Sequence, residues 1–241
     1  MLFNAIHWNP SEGLDLGFFN LHYYSVMFII AFTLGWYIMK KIYVREGIDI
    51  EKLDSLFIYT VLATLIGARL GHVLFYDWEY FQNNLLEIFL PVRFEPEFQF
   101  TGFRGLASHG AAIGIIVAMY LYAKRVLQKP VLWILDRIVI PVASGAIFVR
   151  IGNFINSEII GKPTGTDYGV VFEKLGEDFA RHPAQLYESG CYLLIFLLLW
   201  FIYWKTEKRL KLGYIFGLFL VLLWTVRFFV EFVKEPQVGE R

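Results

Sequence analysis

Residues 184–204 read AQLYESGCYLLIFLLLWFIYW, a run in which Glu188 is the only charged side chain. Coiled as a helix at about 1.5 Å per residue it would be about 30 Å long, the thickness of a bilayer's hydrocarbon core. It therefore predicts a membrane-spanning helix. Residues 213–233, GYIFGLFLVLLWTVRFFVEFV, repeat the pattern with only Arg227 and Glu231 charged. Working outward from this pair, four more apolar segments lie near 18–39, 54–77, 105–123 and 131–155, so the expected fold is an all-α, six-span membrane bundle. Composition agrees: 57% of residues are hydrophobic and 18% charged, against about half and a quarter in water-soluble chains. An aromatic content of 19% with long apolar runs excludes a disordered chain. Lys plus Arg number 22 and Asp plus Glu 22, so no general positive field is available to hold nucleic acid. The lone Cys191 cannot close an internal disulfide.

Basic residues set the expected orientation. The connections at 40–53, 124–130 and 205–212 hold 11 Lys and Arg, whereas the longer segments at 1–17, 78–104, 156–183 and 234–241 hold 7. Cytoplasmic loops carry the excess of basic side chains, which places the first group inside and the N-terminus outside. The first 17 residues contain no Lys or Arg, so they lack the charged region of a cleavable signal, and the first span is expected to be retained. No internal repeat or linker divides residues 1–241, which read as one domain. The loop near 156–183, rich in Gly, Asp and Lys, is expected to form a small extramembrane cap.

Four arginines remain within the spans: Arg69, Arg137, Arg150 and Arg227. Each costs about 2.5–3.5 kcal/mol at a bilayer centre on insertion scales, so each needs a partner or a purpose. Arg137 has Asp136 beside it. Arg69, Arg150 and Arg227 instead fall toward the outer ends of their spans, at the level of His109, Tyr24, His22, Tyr187 and Glu188. That convergence predicts a polar chamber beneath the outer surface, where guanidinium groups can meet a lipid phosphate in bidentate geometry. Arg227 and Glu231, four residues apart, share a helix face and are expected to pair. Gly67 with Gly71, and Gly110 with Gly114, have the spacing of close helix contacts. Pro141 is expected to kink the fourth span. Neighbouring helical residues do not face one another, so Ser108 and His109 are not a nucleophile and its base. Acid–base and electrostatic chemistry on a lipid remains, alongside non-enzymatic lipid binding or transport. The absence of paired broken repeats favours the enzyme.

Five segments then carry a resemblance. GARLGHVLFYD (67–77), GLASHGAAIG (105–114), RIGNFINSEIIG (150–161), RHPAQLYE (181–188) and RFFVEFVKEPQ (227–237) resemble, in order, the prolipoprotein diacylglyceryl transferase family. The resemblance runs from about Leu21 to Gln237. It implies a bacterial inner-membrane enzyme that moves the diacylglyceryl group of phosphatidylglycerol to the lipobox cysteine thiol of a prolipoprotein, releasing glycerol 1-phosphate. It implies neither metal nor organic cofactor. His109 matches the family's essential histidine. Arg150, Asn153, Glu158 and Gly161 match positions of its signature, Arg227 and Glu231 match a late Arg and Glu, and Tyr24 matches a tyrosine of the first span.

On that resemblance, His109, Arg150 and Arg227 are the expected catalytic residues, with Tyr24, Asn153, Glu158, Gly161, Glu231 and Arg69 around the substrate. A cysteine thiol, with an ordinary pKa of about 8.5, is mostly protonated at neutral pH, so a base is useful. His109 would accept its proton, Arg150 and Arg227 would neutralise the departing phosphate, and Glu158 and Glu231 would hold the arginines at their angles. The family usually continues into a seventh span, whereas this sequence ends at Arg241, which leaves an inactive relative as a further expectation. Leu223 stands where many relatives carry tyrosine.

Overall fold

A computed structural model describes residues 5–15, 17, 20–90, 92–94, 98–100, 105 and 107–236. Phe18, Phe19, Leu106 and residues 237–241, which sequence reading assigned to the first span, the third span and the chain end, lie outside these. Among the described residues six helices are long and apolar enough to cross a membrane. They are α1 (Tyr23–Arg45), α2 (Ile50–Phe75), α4 (Ser108–Tyr122, prolonged by a wider turn at Ala123–Leu127), α5 (Val131–Ile155), α6 (Ala184–Lys205) and α7 (Tyr214–Glu231), with the single-turn α3 (Trp78–Phe81) between α2 and α4. The short strands β1 (Ile6–Trp8), β2 (Gly13–Asp15), β3 (Asn20–His22), β4 (Val92–Arg93), β5 (Gln99–Phe100) and β6 (Val170–Phe172) qualify the all-α expectation only outside the spans. Pairing is β1 with β6 in parallel, and β2 with β3 and β4 with β5 antiparallel. The chain forms two compact units, Met1–Ile42 with Leu135–Arg241, and Tyr43–Ile134.

In the first unit, the first half of α1 packs on α5 through small residues. A Cβ placed on Gly35 would lie 3.6 Å from Pro141, and one on Gly145 3.6 Å from Ala31. α5 continues as one helix through Pro141. The fully buried Asp136 of α5 accepts hydrogen bonds from the backbone N–H groups of Gly213 (2.7 Å) and Phe216 (2.9 Å). Its carboxylate thus satisfies donors that the start of α7 leaves without an intrahelical partner, at the end where the helix dipole favours negative charge. Besides having Arg137 as its neighbour in sequence, the carboxylate ties two spans together.

The extramembrane part of this unit is a small cap, as the 156–183 composition suggested. β1 runs beside β6, Trp8 donates its indole N–H to the Phe154 carbonyl at 3.0 Å, and Phe154 and Phe172 pack edge to face. Arg181, 8% exposed, grips both carboxylate oxygens of Glu177 at 2.5 and 2.6 Å, Glu235 at 2.8 Å and the Gly161 carbonyl at 3.1 Å. The bonds to Glu177, then those to Glu235, outweigh burial and hold this guanidinium above its ordinary pKa.

In the second unit, α2 and α4 cross at their glycines. A Cβ on Gly71 would stand 2.6 Å from the Gly110 Cα, and one on Gly110 would strike the Gly67 carbonyl oxygen. Only hydrogen fits there, so the spacing read from the sequence is a true backbone contact. The α2–α4 loop turns back along the end of α2. Arg69 donates to the carbonyls of Glu87 (2.7 Å) and Ile88 (2.9 Å) and lies over the Phe81 ring, while Val73, Phe81 and Ile88 form a small core.

The Glu87 carboxylate faces inward, accepting bonds from the Tyr80 hydroxyl (2.5 Å) and the Phe94 N–H (2.7 Å). Burial alone would raise its pKa. The two hydrogen bonds, with the charges of Arg93 and Arg69, prevail and hold it below the ordinary value of 4.5. A carboxylate more acidic in the folded than in the unfolded chain contributes stability that is complete above the unfolded value and disappears as pH falls through the folded one. The thermal midpoint of the wild type should therefore fall below about pH 4.5 more steeply than that of Glu87→Gln. Parallel acid curves in differential scanning fluorimetry would remove this role.

Candidate active site

Three helices of the first unit bring charge together at one level. Arg150 lies five residues before the end of α5, Glu188 four after the start of α6, and Arg227 four before the end of α7, each about 6–8 Å along its helix from that terminus. Glu188 is the hub. One carboxylate oxygen, Oε2, pairs with Nε of Arg150, and the other, Oε1, accepts from Nη1 of Arg227 at 3.1 Å. The carboxylate is 2% exposed, Arg150 13% and Arg227 33%, so the trio opens toward its surroundings on the Arg227 side. One carboxylate between two guanidiniums leaves a positive charge in excess, which suits an anion.

A chain of amides continues from Arg150. Its Nη1 donates to Asn153 Oδ1 (3.2 Å), Asn153 Nδ2 donates to Glu158 Oε2 (3.1 Å), and Asn156 Nδ2 reaches Glu158 Oε1 (3.2 Å). Arg150 and Asn153 are three apart on α5 and share a face. Gln185, fully buried, donates to the Glu158 main-chain carbonyl at 2.6 Å and joins the first turn of α6 to the turn after α5. That turn is strained. Ser157 (φ 58°) and Ile159 (φ 56°) are left-handed on either side of Glu158, a region where a β-branched residue is an outlier.

The remaining candidates are placed as follows. Tyr24 lies in the first turn of α1 with its ring against Gly152, where a Cβ would come within 2.7 Å of it. Gly161 is needed for close approach: its N–H bonds the His182 carbonyl at 3.1 Å, and a Cβ would meet His182 and lie 2.9 Å from the Val233 carbonyl oxygen. It fastens the cap to the end of α7. His109 is exposed in the first turn of α4, in the other unit. Arg69, expected at the head group, is directed to the loop carbonyls described above.

Two expectations are corrected. Arg227 does not pair with Glu231, whose exposed carboxylate sits 3.9 Å from Lys234. Glu231 is the last residue of α7, where the side chain reaches beyond the helix end; Arg227, one turn deeper, meets the carboxylate of α6. Nor does Glu158 hold an arginine directly, since it reaches Arg150 only through Asn153. The residue missed as the hub is Glu188. Its signal was present: a lone acid in an otherwise uncharged apolar run, level with Arg150 and Arg227, needs a partner.

The sequence model of prolipoprotein diacylglyceryl transferase matches residues 12–240. The chain belongs to this family. Among its relatives, the phosphatidylglycerol--prolipoprotein diacylglyceryl transferase of Bacteroides fragilis is 41% identical over 97% of this chain and 85% of its own length. The similarly named protein of Tolumonas auensis is 41% identical over 97% and 86%, and that of Chloroherpeton thalassium 37% over 96% and 83%. Membership in this transferase family covers α1 to α7 and both units, including every site residue named above.

Proposed function

We propose that the chain transfers the diacylglyceryl group of phosphatidylglycerol to the lipobox cysteine of a prolipoprotein. The observation that carries this reading is the Arg150–Glu188–Arg227 trio. It provides excess positive charge within about two turns of one end of each of three spans, close to the depth at which a phospholipid head group lies. Arg227 gives one hydrogen bond to a described residue, to Glu188, and a guanidinium has five N–H donors. The others are available to phosphate oxygens.

In the reaction, the cysteine sulfur attacks the glyceryl carbon that bears the phosphate ester. A C–S bond forms as the C–O bond to phosphate breaks, the thiol proton passes to the His109 imidazole, and glycerol 1-phosphate leaves with the bonding electrons. Arg150 and Arg227 stabilise the charge that grows on the leaving phosphate, an effect confined to the transition state when the donors are already aimed. Glu188 fixes that aim. Asn153, Glu158 and Tyr24 form the wall beside Arg150, and Gly161 lets the cap close against α7.

We place the enzyme in the bacterial inner membrane with its N-terminus outside. The basic ends of the spans support this orientation: Lys40 lies over Trp36, Lys124 over Tyr120, Lys129 over Trp133 and Lys208 over Tyr214, at 4.9–5.8 Å. Cations and aromatic rings combine in this way at a membrane interface, and cytoplasmic ends are the basic ones. Purified protein with phosphatidylglycerol vesicles and a lipobox peptide should yield a peptide heavier by one diacylglyceryl group, read by mass spectrometry. Lipid binding with no thioether product would replace this reading with non-enzymatic lipid carriage or an inactive relative.

A further inference from the structure

A second histidine lies beside the α2–α4 crossing, and the proposed chemistry does not use it. His72 is in the last turn of α2, one residue from Gly71, whose backbone touches Gly110; His109 is the residue before Gly110. The His72 Nε2 is 3.0 Å from Asp77 Oδ2, and its ring stacks on Tyr76 with centroids 6.0 Å apart and planes 16° from parallel. Asp77 is an acceptor when ionised, so Nε2 carries the hydrogen in this contact.

The same ring covers Gly105. A Cβ at that position would overlap the imidazole, and the φ of +78° independently favours glycine. Two residues on, the Ala107 N–H donates to the Ala68 carbonyl at 2.9 Å. The entry to α4 is therefore fastened to the end of α2 at three successive points: His72 on Gly105, Ala68 on Ala107 and Gly71 on Gly110. Asp77 sets the angle of the first. A residue at the very start of a helix inherits its position from the entering chain, and His109 is the second residue of α4.

We propose that His72 and Asp77 are a positioning pair for His109: the carboxylate orients the imidazole, and the imidazole seats Gly105, three residues before the start of the base-bearing helix. This rests on the transferase reading for its kinetic consequence but not for its geometry. His72 is a positioning residue and takes no proton from substrate.

The test compares His72→Ala, Asp77→Ala, their double variant, His72→Gln and Gly105→Ala in the full-length protein. Misplacing a reacting group by a fraction of an ångström is costly to rate, so His72→Ala and Gly105→Ala should lower kcat about tenfold while KM for phosphatidylglycerol stays within about twofold. The double variant should be no slower than His72→Ala, because the two residues act as one unit. His72→Gln, whose amide can still donate to Asp77, should recover most of the rate. In parallel, diethyl pyrocarbonate labelling of His109, read by peptide mass spectrometry on folded protein, should change several-fold in His72→Ala and little in His72→Gln. Labelling of His109 at the wild-type rate in both His72→Ala and Gly105→Ala would overturn the proposal. If the wild type forms no thioether product, the transferase reading fails, while the labelling still decides the positioning.

Discussion

Glu188→Ala is expected to lose about a hundredfold in kcat without any rise in KM for phosphatidylglycerol, and to unfold at a lower temperature. Both effects come from the same carboxylate. Glu188 is almost wholly buried between Arg150 and Arg227, and removing one member of a buried charge cluster leaves the others without compensation, a loss of about 3–5 kcal/mol where burial is complete. Arg227 is one-third exposed, and solvent screens its share, so the lower end of that range is the appropriate figure. The two guanidiniums, facing each other without an acid between them, would turn apart. Their attraction for an anion is not weakened by losing a neighbouring negative charge, which is why KM should hold or fall. Their aim at the departing phosphate is lost, which is why kcat should not. Glu188→Gln separates the contributions: its amide keeps the shape and one acceptor but not the charge. It should fold more stably than Glu188→Ala and remain slow. Thermal unfolding in detergent and steady-state lipidation of a lipobox peptide measure the two effects. Wild-type kcat in Glu188→Ala would show that the trio is a structural clamp and no more.

The spans were legible because each must satisfy the bilayer on its own, through length and apolarity. Sequence boundaries for α5 and α6 agree with the structure almost to the residue. α1 was placed several residues early. Hydropathy stops at Lys40 and Lys41, but the helix continues to Arg45, with Lys41 laid over Tyr37 at 4.7 Å; a lysine stem can run along apolar surface while its head stays in water. The β1–β6 pairing was not legible, since strands of three residues separated by some 160 positions leave no periodic trace.

The site was half legible for a related reason. Depth along a helix follows from counting residues, so the common level of Arg150, Glu188 and Arg227 could be read in advance. Azimuth does not follow from counting once several helices are involved. A local i, i+4 rule therefore assigned Arg227 to Glu231, whereas packing of α6 on α7 gave it to Glu188. The role of Arg69 escaped similarly, because its partners are main-chain carbonyls of a loop that carries no residue-type signal.

His109→Gln is expected to lower kcat by about two to four orders of magnitude, the usual contribution of a positioned base, with little change in stability. The side chain is exposed in the first turn of α4, so an amide of similar size removes no core packing, and surface substitutions of this kind stay within about 0.5 kcal/mol. The pH profile is the sharper readout. Without a base on the protein, sulfur must already be ionised when it attacks, and the thiolate fraction of a cysteine with a pKa near 8.5 rises about tenfold per pH unit below that value. The residual rate of His109→Gln should therefore climb with that slope between about pH 6 and 8, while the wild-type rate rises less steeply over the same range because the imidazole removes the proton during attack. Gln is neutral throughout, so the slope belongs to the substrate. Equal kcat in the two proteins, or parallel pH profiles at any level of activity, would take the base assignment away from His109 and leave the arginine trio as the source of catalysis.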